Sequence, residues 1–295
     1  MTGLTPEAIL LNFPHPPDRV VSLVPSITES LFDLGAGGAV VGVTDFCVHP
    51  ANSLAGIPRL GGTRNPRVTE IIELEPDLVF ANQEENSRGS VEGLREAGIP
   101  VWLAFPRTVR QAYHDLTLLA RLFQSATAYA RLETLERAME WAEADSDSLP
   151  KRRYFCPIWQ HQDNHGGGWW MTFNRNTYAS DLLRLFGGEN VFADRERRYP
   201  LSADLAGTGG EAAEERDTRY PRVTSSEVSA AKTEFVLLPD EPFHFYEEEQ
   251  TSIADQLGYP SGGDTPRFVH LDGSLLFWHG TRMGLALREL IDLFS

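Results

Sequence analysis

Cysteine is scarce: the chain of 295 residues has two, Cys47 and Cys156. Two thiols cannot make a disulfide framework, and no C-x-x-C pair is present to bind a metal or cycle redox chemistry. Both lie beside apolar runs, so buried free thiols are expected. Basic charge is also short, with 26 Lys and Arg against 42 Asp and Glu and a formal net charge of -16. Such a surface repels phosphate backbones and anionic lipid, which excludes nucleic acid and membrane surfaces as partners. No apolar run is long enough to span a bilayer. Met1–Asp18 has no basic stretch followed by an apolar core, and Pro14, Pro16 and Pro17 interrupt it, so it does not read as a secretory signal. Either the protein is cytoplasmic as read or a leader has been removed.

The usual catalytic motifs are missing too. There is no G-x-S-x-G elbow, no P-loop, and no G-x-G-x-x-G following a strand. Gly166–Gly168 precedes no helix start and is a poor phosphate cradle. His161 and His165 are four apart, but Gln-Asp-Asn between them and glycines after them favour a loop over a chelating helix face. His49, His244, His270 and His279 form no strand-end set. No catalytic residues and no protein-held metal are expected.

What is present is a globular composition, 41% hydrophobic and 23% charged. Short apolar runs alternate with helical periodicity through the first hundred residues. Strands are predicted at Arg19–Val24, Val40–Val43, Leu78–Ala81 and Val101–Ala104. Helices are predicted after Pro25-Ser26, with Ser26 and Glu29 as a capping box, over Glu70–Glu75 and over Val91–Ala97. Strands alternating with helices give a parallel α/β layer. From Val109 to Trp141 there is neither Gly nor Pro, and apolar residues recur at helical spacing. This predicts one long helix, or two joined end to end, of about 50 Å at the helical rise. A second α/β region starts near Arg153.

The second half repeats part of the first. Pro66-Arg-Val-Thr69 precedes Glu70 and the strand Leu78–Ala81; Pro221-Arg-Val-Thr224 precedes Glu227 and the strand Phe235–Leu238. Glu70 then aligns with Glu227, Asp77 with Glu234 and Val79 with Val236, which points to duplication. The expected fold is α/β, two Rossmann-like lobes with parallel sheets joined by a long spine helix. The boundaries read 1–107, 108–149 and 150–295.

Ligands of open α/β sheets bind beyond the carboxyl ends of strands, so two lobes are expected to share one cleft. The residues following the predicted strands are rich in aromatics, amides and a few arginines. Pro25, Asp45, Phe46, Asn82, Gln83, Phe105, Trp159, Trp169, Phe173, Trp278 and Arg282 are the candidate ligand contacts. Stacking would carry affinity and the polar groups orientation. Gln160–Gly168 reads as a cleft loop. Gly209–Asp217 and the charge run Asp194–Arg198 read as solvated.

Arg19-Val-Val-Ser-Leu-Val-Pro-Ser-Ile-Thr-Glu-Ser-Leu-Phe-Asp-Leu-Gly35, Val40-Val-Gly-Val-Thr-Asp-Phe46, Glu75-Pro-Asp-Leu-Val79, Ala97-Gly-Ile-Pro-Val101 and Gly187-Gly-Glu-Asn-Val-Phe192 together resemble a known family. These are the helical-backbone, class III solute receptors of cobalamin and ferric-siderophore transport, and the cobalamin-binding branch is the most similar. The resemblance implies a monomeric, non-catalytic protein outside the cytoplasm that captures a corrinoid or similar metal chelate. It implies small hinge motion, no intrinsic cofactor, and delivery to an ABC permease docked through Glu70 and Glu227. The alternatives left open are a cytoplasmic cofactor-handling protein or enzyme on the same scaffold, and a receptor for a bare divalent metal.

Overall fold

The computed structural model describes residues 5–162, 168–211, 216–259 and 265–295. His165 and Gly166, and part of the Gly209–Asp217 stretch, lie outside the described residues. In chain order the elements are α1 (Pro6–Leu11), β1 (Val20–Ser22), α2 (Pro25–Asp33), β2 (Val40–Val43), α3 (Val68–Glu73), β3 (Leu78–Asn82), α4 (Arg88–Glu96), β4 (Val101–Ala104), α5 (Val109–Leu122) and α6 (Ala126–Ser146). There follow β5 (Arg152–Phe155), β6 (Trp159–Gln162), β7 (Gly168–Met171), α7 (Tyr178–Arg184), β8 (Gly188–Asn190), α8 (Leu201–Ala206), β9 (Arg222–Val223) and α9 (Ser225–Ala230). The chain ends with β10 (Phe235–Pro239), α10 (Gln250–Gln256), β11 (Arg267–Leu271), α11 (Ser274–Phe277) and α12 (Met283–Glu289).

The chain divides into two compact units, Met1–Met139 with Trp278–Leu285, and Glu140–Phe277 with Ala286–Ser295. This differs from the boundaries read from sequence. The division falls inside α6, and the late segment Trp278–Leu285 belongs to the first unit. The helical stretch is two helices end to end: α5 stops at Leu122, and Gln124, at φ 50°, turns the chain before α6.

Each unit holds a four-stranded parallel sheet. The orders are β2-β1-β3-β4 and β8-β5-β10-β11, so the first strand of each sheet lies between the second and the third. Helices cover such sheets, which is why the central strands are buried throughout: Leu78–Asn82 and Phe235–Pro239 have no exposed residue. Val21, Leu23, Val79, Ala81, Leu94 and Val101 form one core cluster. Phe155, Trp170, Val223, Val236, Leu238 and Ile253 form another, in the second unit.

The duplication read from the Pro-Arg-Val-Thr pair is visible atom by atom. In the first unit Asp77 accepts the Arg19 N–H at 2.8 Å, and the Arg19 guanidinium donates to the Leu74 carbonyl at 3.1 and 2.7 Å. In the second Glu234 accepts the Arg153 N–H at 2.8 Å, and Arg153 donates to the Ala231 carbonyl at 3.2 and 2.7 Å. Leu74 and Ala231 are the C-caps of α3 and α9, so each arginine satisfies a carbonyl that the helix leaves open. Glu75 and Lys232, each one residue after that cap, both take positive φ, 47° and 51°.

Two local expectations change. Helix α2 begins with Pro25 at its first position, behind an extended Val24, and has no side-chain cap. Proline at the first helical position lacks only an N–H that had no partner anyway. Ser26 Oγ is instead buried without a partner, and Glu29 is an ion-pair residue. The charge run Asp194–Arg198 is not simply solvated: Arg195 pairs with Asp204, a fully buried carboxylate, and with Glu227. Arg222 closes the same network on Asp204 at 2.8 Å. Both cysteines are buried and free. No helix among the described residues is long and apolar enough to cross a membrane.

The hydrogen bond from Arg153 N–H, reinforced by Arg152, holds the Glu234 carboxyl below its ordinary 4.5. Its contribution to stability is therefore present above that value and lost as the pH falls below it. Asp77→Ala and Glu234→Ala should each cost about 1–2 kcal/mol, since the first strips the Asp18 and Arg19 N–H groups, and the second the Arg153 N–H, of a charged acceptor. Urea denaturation reads this directly, and a cost at one position with none at the other would contradict their equivalence.

Candidate functional site

In a sheet of order 2-1-3-4 the crossovers leave in opposite directions from the first and third strands. The carboxyl ends of those two strands therefore frame a crevice. In the first unit these ends are β1 and β3, leading to Pro25 and to Asn82–Gln83. In the second they are β5 and β10, leading to Trp159 and to the segment after Pro239.

At the first edge, Pro25 is buried in the first turn of α2. Asn82 is fully buried and committed to the protein. Its Oδ1 accepts the Glu84 N–H at 2.6 Å, and its Nδ2 lies 2.8 Å from His279 Nε2. The neutral imidazole accepts that bond. Asn86 reinforces the corner, with Oδ1 on the Asn82 N–H and Nδ2 on the Leu23 and Thr63 carbonyls. Asp45 and Phe46 follow β2 and face out, with Phe46 60% exposed. Gln83 is exposed, and Phe105 is half-buried with the Arg107 guanidinium 5.9 Å from its ring.

Trp278 and Arg282 reach this unit on the segment Trp278–Leu285. That segment is fastened along α2: Thr281 N–H donates to Ser30 Oγ, Thr281 Oγ1 to Asp33, and Arg282 to both oxygens of Glu29 at 2.7 and 2.6 Å. Gly280 is required there, at φ +134°, because a Cβ would sit 2.4 Å from Ser30 Oγ. Trp278 has the Arg282 guanidinium 4.8 Å from its ring centroid, and the His49 ring centroid lies 5.8 Å away in a T-shaped arrangement. Arg282 was expected to orient a ligand. Its guanidinium is engaged by Glu29 instead, and it stiffens Trp278.

A small cavity lies beneath this segment, about 20 Å³ and lined by Ser30, Trp102, Asp115, Leu119, His279 and Gly280 among others. That is room for about one water molecule. Burial raises the Asp115 carboxyl to about 7 and lowers the His279 imidazole to about 4. His114 and Glu7 are the charged groups near Asp115, and they act in opposite senses.

At the second edge the chain leaves β5 and, in place of a direct turn into a helix, inserts a hairpin. β6 and β7 pair antiparallel, Trp159 opposite Met171 and His161 opposite Trp169, and β7 continues onto β9. Trp159 is 47% exposed and meets the Phe243 ring edge at 5.2 Å. Trp169 is half-buried and stacks on His161. Phe173 was expected at the ligand but is a core residue, 1% exposed and packed on Phe277 at 6.2 Å. The structure thus presents Asp45, Phe46, Gln83 and Trp159 openly, half-buries Phe105, Trp169, Trp278 and Arg282, and buries Pro25, Asn82 and Phe173. Sequence reasoning did not include His279, His49, Glu29, His161 or Phe243. The histidines and Phe243 stood in the strand-end stretches; Glu29 carried no signal beyond its helix.

Glu70 and Glu227 both occupy the third position of a short helix, α3 and α9. Glu70 pairs with Arg67 at 2.6 Å, and both are half-exposed. Glu227 closes a capping box with Thr224 and also accepts from Arg195 at 3.3 Å.

The sequence profile of the periplasmic binding proteins matches residues 20–236. The chain belongs to that family. The vitamin B12-binding proteins of Yersinia pestis (strain Pestoides F) and Yersinia pseudotuberculosis serotype IB (strain PB1/+) are 28% identical to it over 185 residues. That stretch is 62% of this chain and spans 63% of the length of those relatives. Among solved structures, the apo periplasmic heme-binding protein RhuT from Roseiflexus sp. RS-1 superposes with a TM-score of 0.69 at 24% identity, covering 94% of this chain and 97% of that one. The periplasmic vitamin B12-binding protein BtuF of Vibrio cholerae gives 0.68 at 18% identity, covering 95% and 97%. These periplasmic binding proteins share the fold of the chain, two parallel α/β sheets with their helices.

The buried pair under the Trp278–Leu285 segment gives opposing pH slopes. Folded Asp115 keeps a proton that the unfolded chain releases above 3.8, so its contribution is full at low pH and lost as the pH rises to about 7. Folded His279 refuses a proton that the unfolded chain binds below 6.5, so its contribution is full above 6.5 and lost as the pH falls to about 4. Asp115→Asn removes the first slope and leaves the second. Its stability should therefore climb from about pH 4.5 to 6.5 more steeply than that of the wild type. Denaturant midpoints across that range check this, and superimposable profiles would refute it.

Proposed function

We propose that this periplasmic binding protein captures a corrinoid or similar metal-chelate ligand at the carboxyl edges of its two sheets, performs no chemistry on it, and delivers it to an ABC importer. The observation that carries the reading is the pair of large aromatic side chains held open at those edges, Phe46 after β2 and Trp159 after β5. Open aromatics at these strand ends supply rigid apolar area on which a flat ligand can stack. Relatives named for vitamin B12 and structural neighbours named for heme and vitamin B12 support a bulky, conjugated, metal-bearing ligand.

Contacts are assigned to Phe46, Gln83, Asp45, Phe105, Trp159, Trp169 and Trp278. Pro25, Asn82, Phe173 and Arg282 support them from within. Residues 1–107 together with Trp278–Leu285, and the rest of 150–295, are the ligand-contacting lobes, and 108–149 the helical link. Glu70 and Glu227 would meet the permease, acting outside the cytoplasm on a monomer. Their equivalent helix positions support that assignment. At Glu227 the partner's cation must displace or join Arg195.

Thermal melting with cobalamin, hemin, a ferric siderophore and divalent metal ions tests the reading. A chelate that binds the native state at a hundredfold excess over its Kd should stabilise it by about 2.7 kcal/mol. Phe46→Ala and Trp159→Ala should each weaken that binding about tenfold, or 1.4 kcal/mol. Stabilisation by bare metal alone, or wild-type affinity in both variants, would defeat the reading.

A further inference from the structure

The β6–β7 hairpin is an insertion. In the first unit β1 passes straight into α2, whereas in the second the hairpin separates β5 from α7. Each strand of the hairpin alternates faces. One face is tied down. Gln160 and Gln162 both donate to Gln256 Oε1 of α10, the latter at 2.8 Å, and Trp170 is buried with its indole N–H on Ser225 Oγ at 3.3 Å. By register the other face carries Trp159 and Met171 opposite one another, then His161 opposite Trp169.

The hairpin supplies two indoles, an imidazole and a thioether to this second face, and on β9 Arg222, opposite Met171, is held by Asp204. His161 is exposed, and its ring stacks on Trp169 at 5.3 Å and 24°. Gly168 lets the strands close at that end, since a Cβ there would lie 2.6 Å from the His161 carbonyl. The imidazole is thus held in a fixed plane beside exposed aromatic surface. No group of three or more His, Cys, Asp or Glu among the described residues could hold a metal ion. An isolated imidazole beside aromatic walls suits a different task, completing the coordination of a metal whose other ligands come from a flat chelate.

We propose that His161 donates an axial nitrogen to the metal of a corrinoid lying on the Trp159–Trp169–Met171 face. This rests on the chelate-binding reading above and names the residue that would read the metal's open axial position. The step is a ligand exchange without redox change: the imidazole lone pair forms a bond to cobalt(III), and the bound water leaves with its own electron pair. An aquocorrinoid is cationic and fringed by amides, which suits a chain of net charge -16 better than the carboxylates of a haem do.

The experiment uses the full chain with aquocobalamin, whose water exchanges, and cyanocobalamin, whose axial positions are both filled. The absorption spectrum of aquocobalamin should shift on binding as nitrogen replaces water. Aquocobalamin should bind at least about tenfold more tightly than cyanocobalamin. His161→Ala should abolish both the spectral shift and the preference for aquocobalamin over cyanocobalamin. Binding of both cobalamins with equal affinity and no spectral shift, or a shift that survives in His161→Ala, overturns the axial role and leaves chelate capture standing. A His161-dependent shift with hemin and none with aquocobalamin overturns the corrinoid assignment. Binding of no chelate at all overturns both readings.

Discussion

The carboxylates Asp77 and Glu234 each accept the backbone N–H of the arginine at the start of the first strand of their sheet, and each arginine in turn closes the C-terminus of the helix that leads into the third strand. One acid and one arginine thereby fix three things: the register of the first strand against the third, the end of the intervening helix, and the direction in which the chain re-enters the sheet. Everything beyond the carboxyl ends of those strands depends on that register. A slip of one residue would turn Asn82 to the opposite face and put Ala81 or Gln83 in its place. The same four-part arrangement in both units, down to the positive φ at Glu75 and Lys232, accounts for how two stretches of such different detail keep one strand order.

Much of this was legible because it is local. Buried parallel strands appear in sequence as unbroken apolar runs, and Leu78–Ala81 and Val101–Ala104 were read within a residue of their ends. The alignment of Asp77 with Glu234 came from a short repeat, and its physical meaning, an anion bound to a backbone donor, required the structure. The failures were long-range. Nothing near Phe173 announces that it packs on Phe277, a residue over a hundred positions away. Nothing near Arg282 announces Glu29. The sequence suggested a Ser26–Glu29 capping box because the spacing fits. Proline at position 25 already started the helix, which freed Glu29 for the distant arginine.

The two units diverge where function would be expected to differ. At the first edge the crevice is closed from within by Asn82, Asn86 and His279, a network in which every named amide has a partner. Buried polar networks of this kind rigidify when fully satisfied. At the second edge the chain adds a hairpin instead, and its aromatic face stands open. The first unit therefore offers a stiff corner at Asn82, and the second a platform whose inner face is tied to α10 by glutamines. Rigid aromatic surface loses little entropy when a ligand arrives, which favours affinity through preorganisation.

The same asymmetry reaches the two glutamates. Glu70 pairs with Arg67, and that half-exposed pair is strongly screened by solvent. Glu227 is tied to Arg195, whose other partner, Asp204, is fully buried and also holds Arg222. Withdrawing Arg195 to free Glu227 would leave Asp204 short of one cation in a site where water cannot compensate. A partner that approaches this helix therefore meets a carboxylate and a guanidinium together rather than a lone acid. Sequence symmetry between the two glutamates does not carry over into equal availability, because availability is set by the arginine each has recruited.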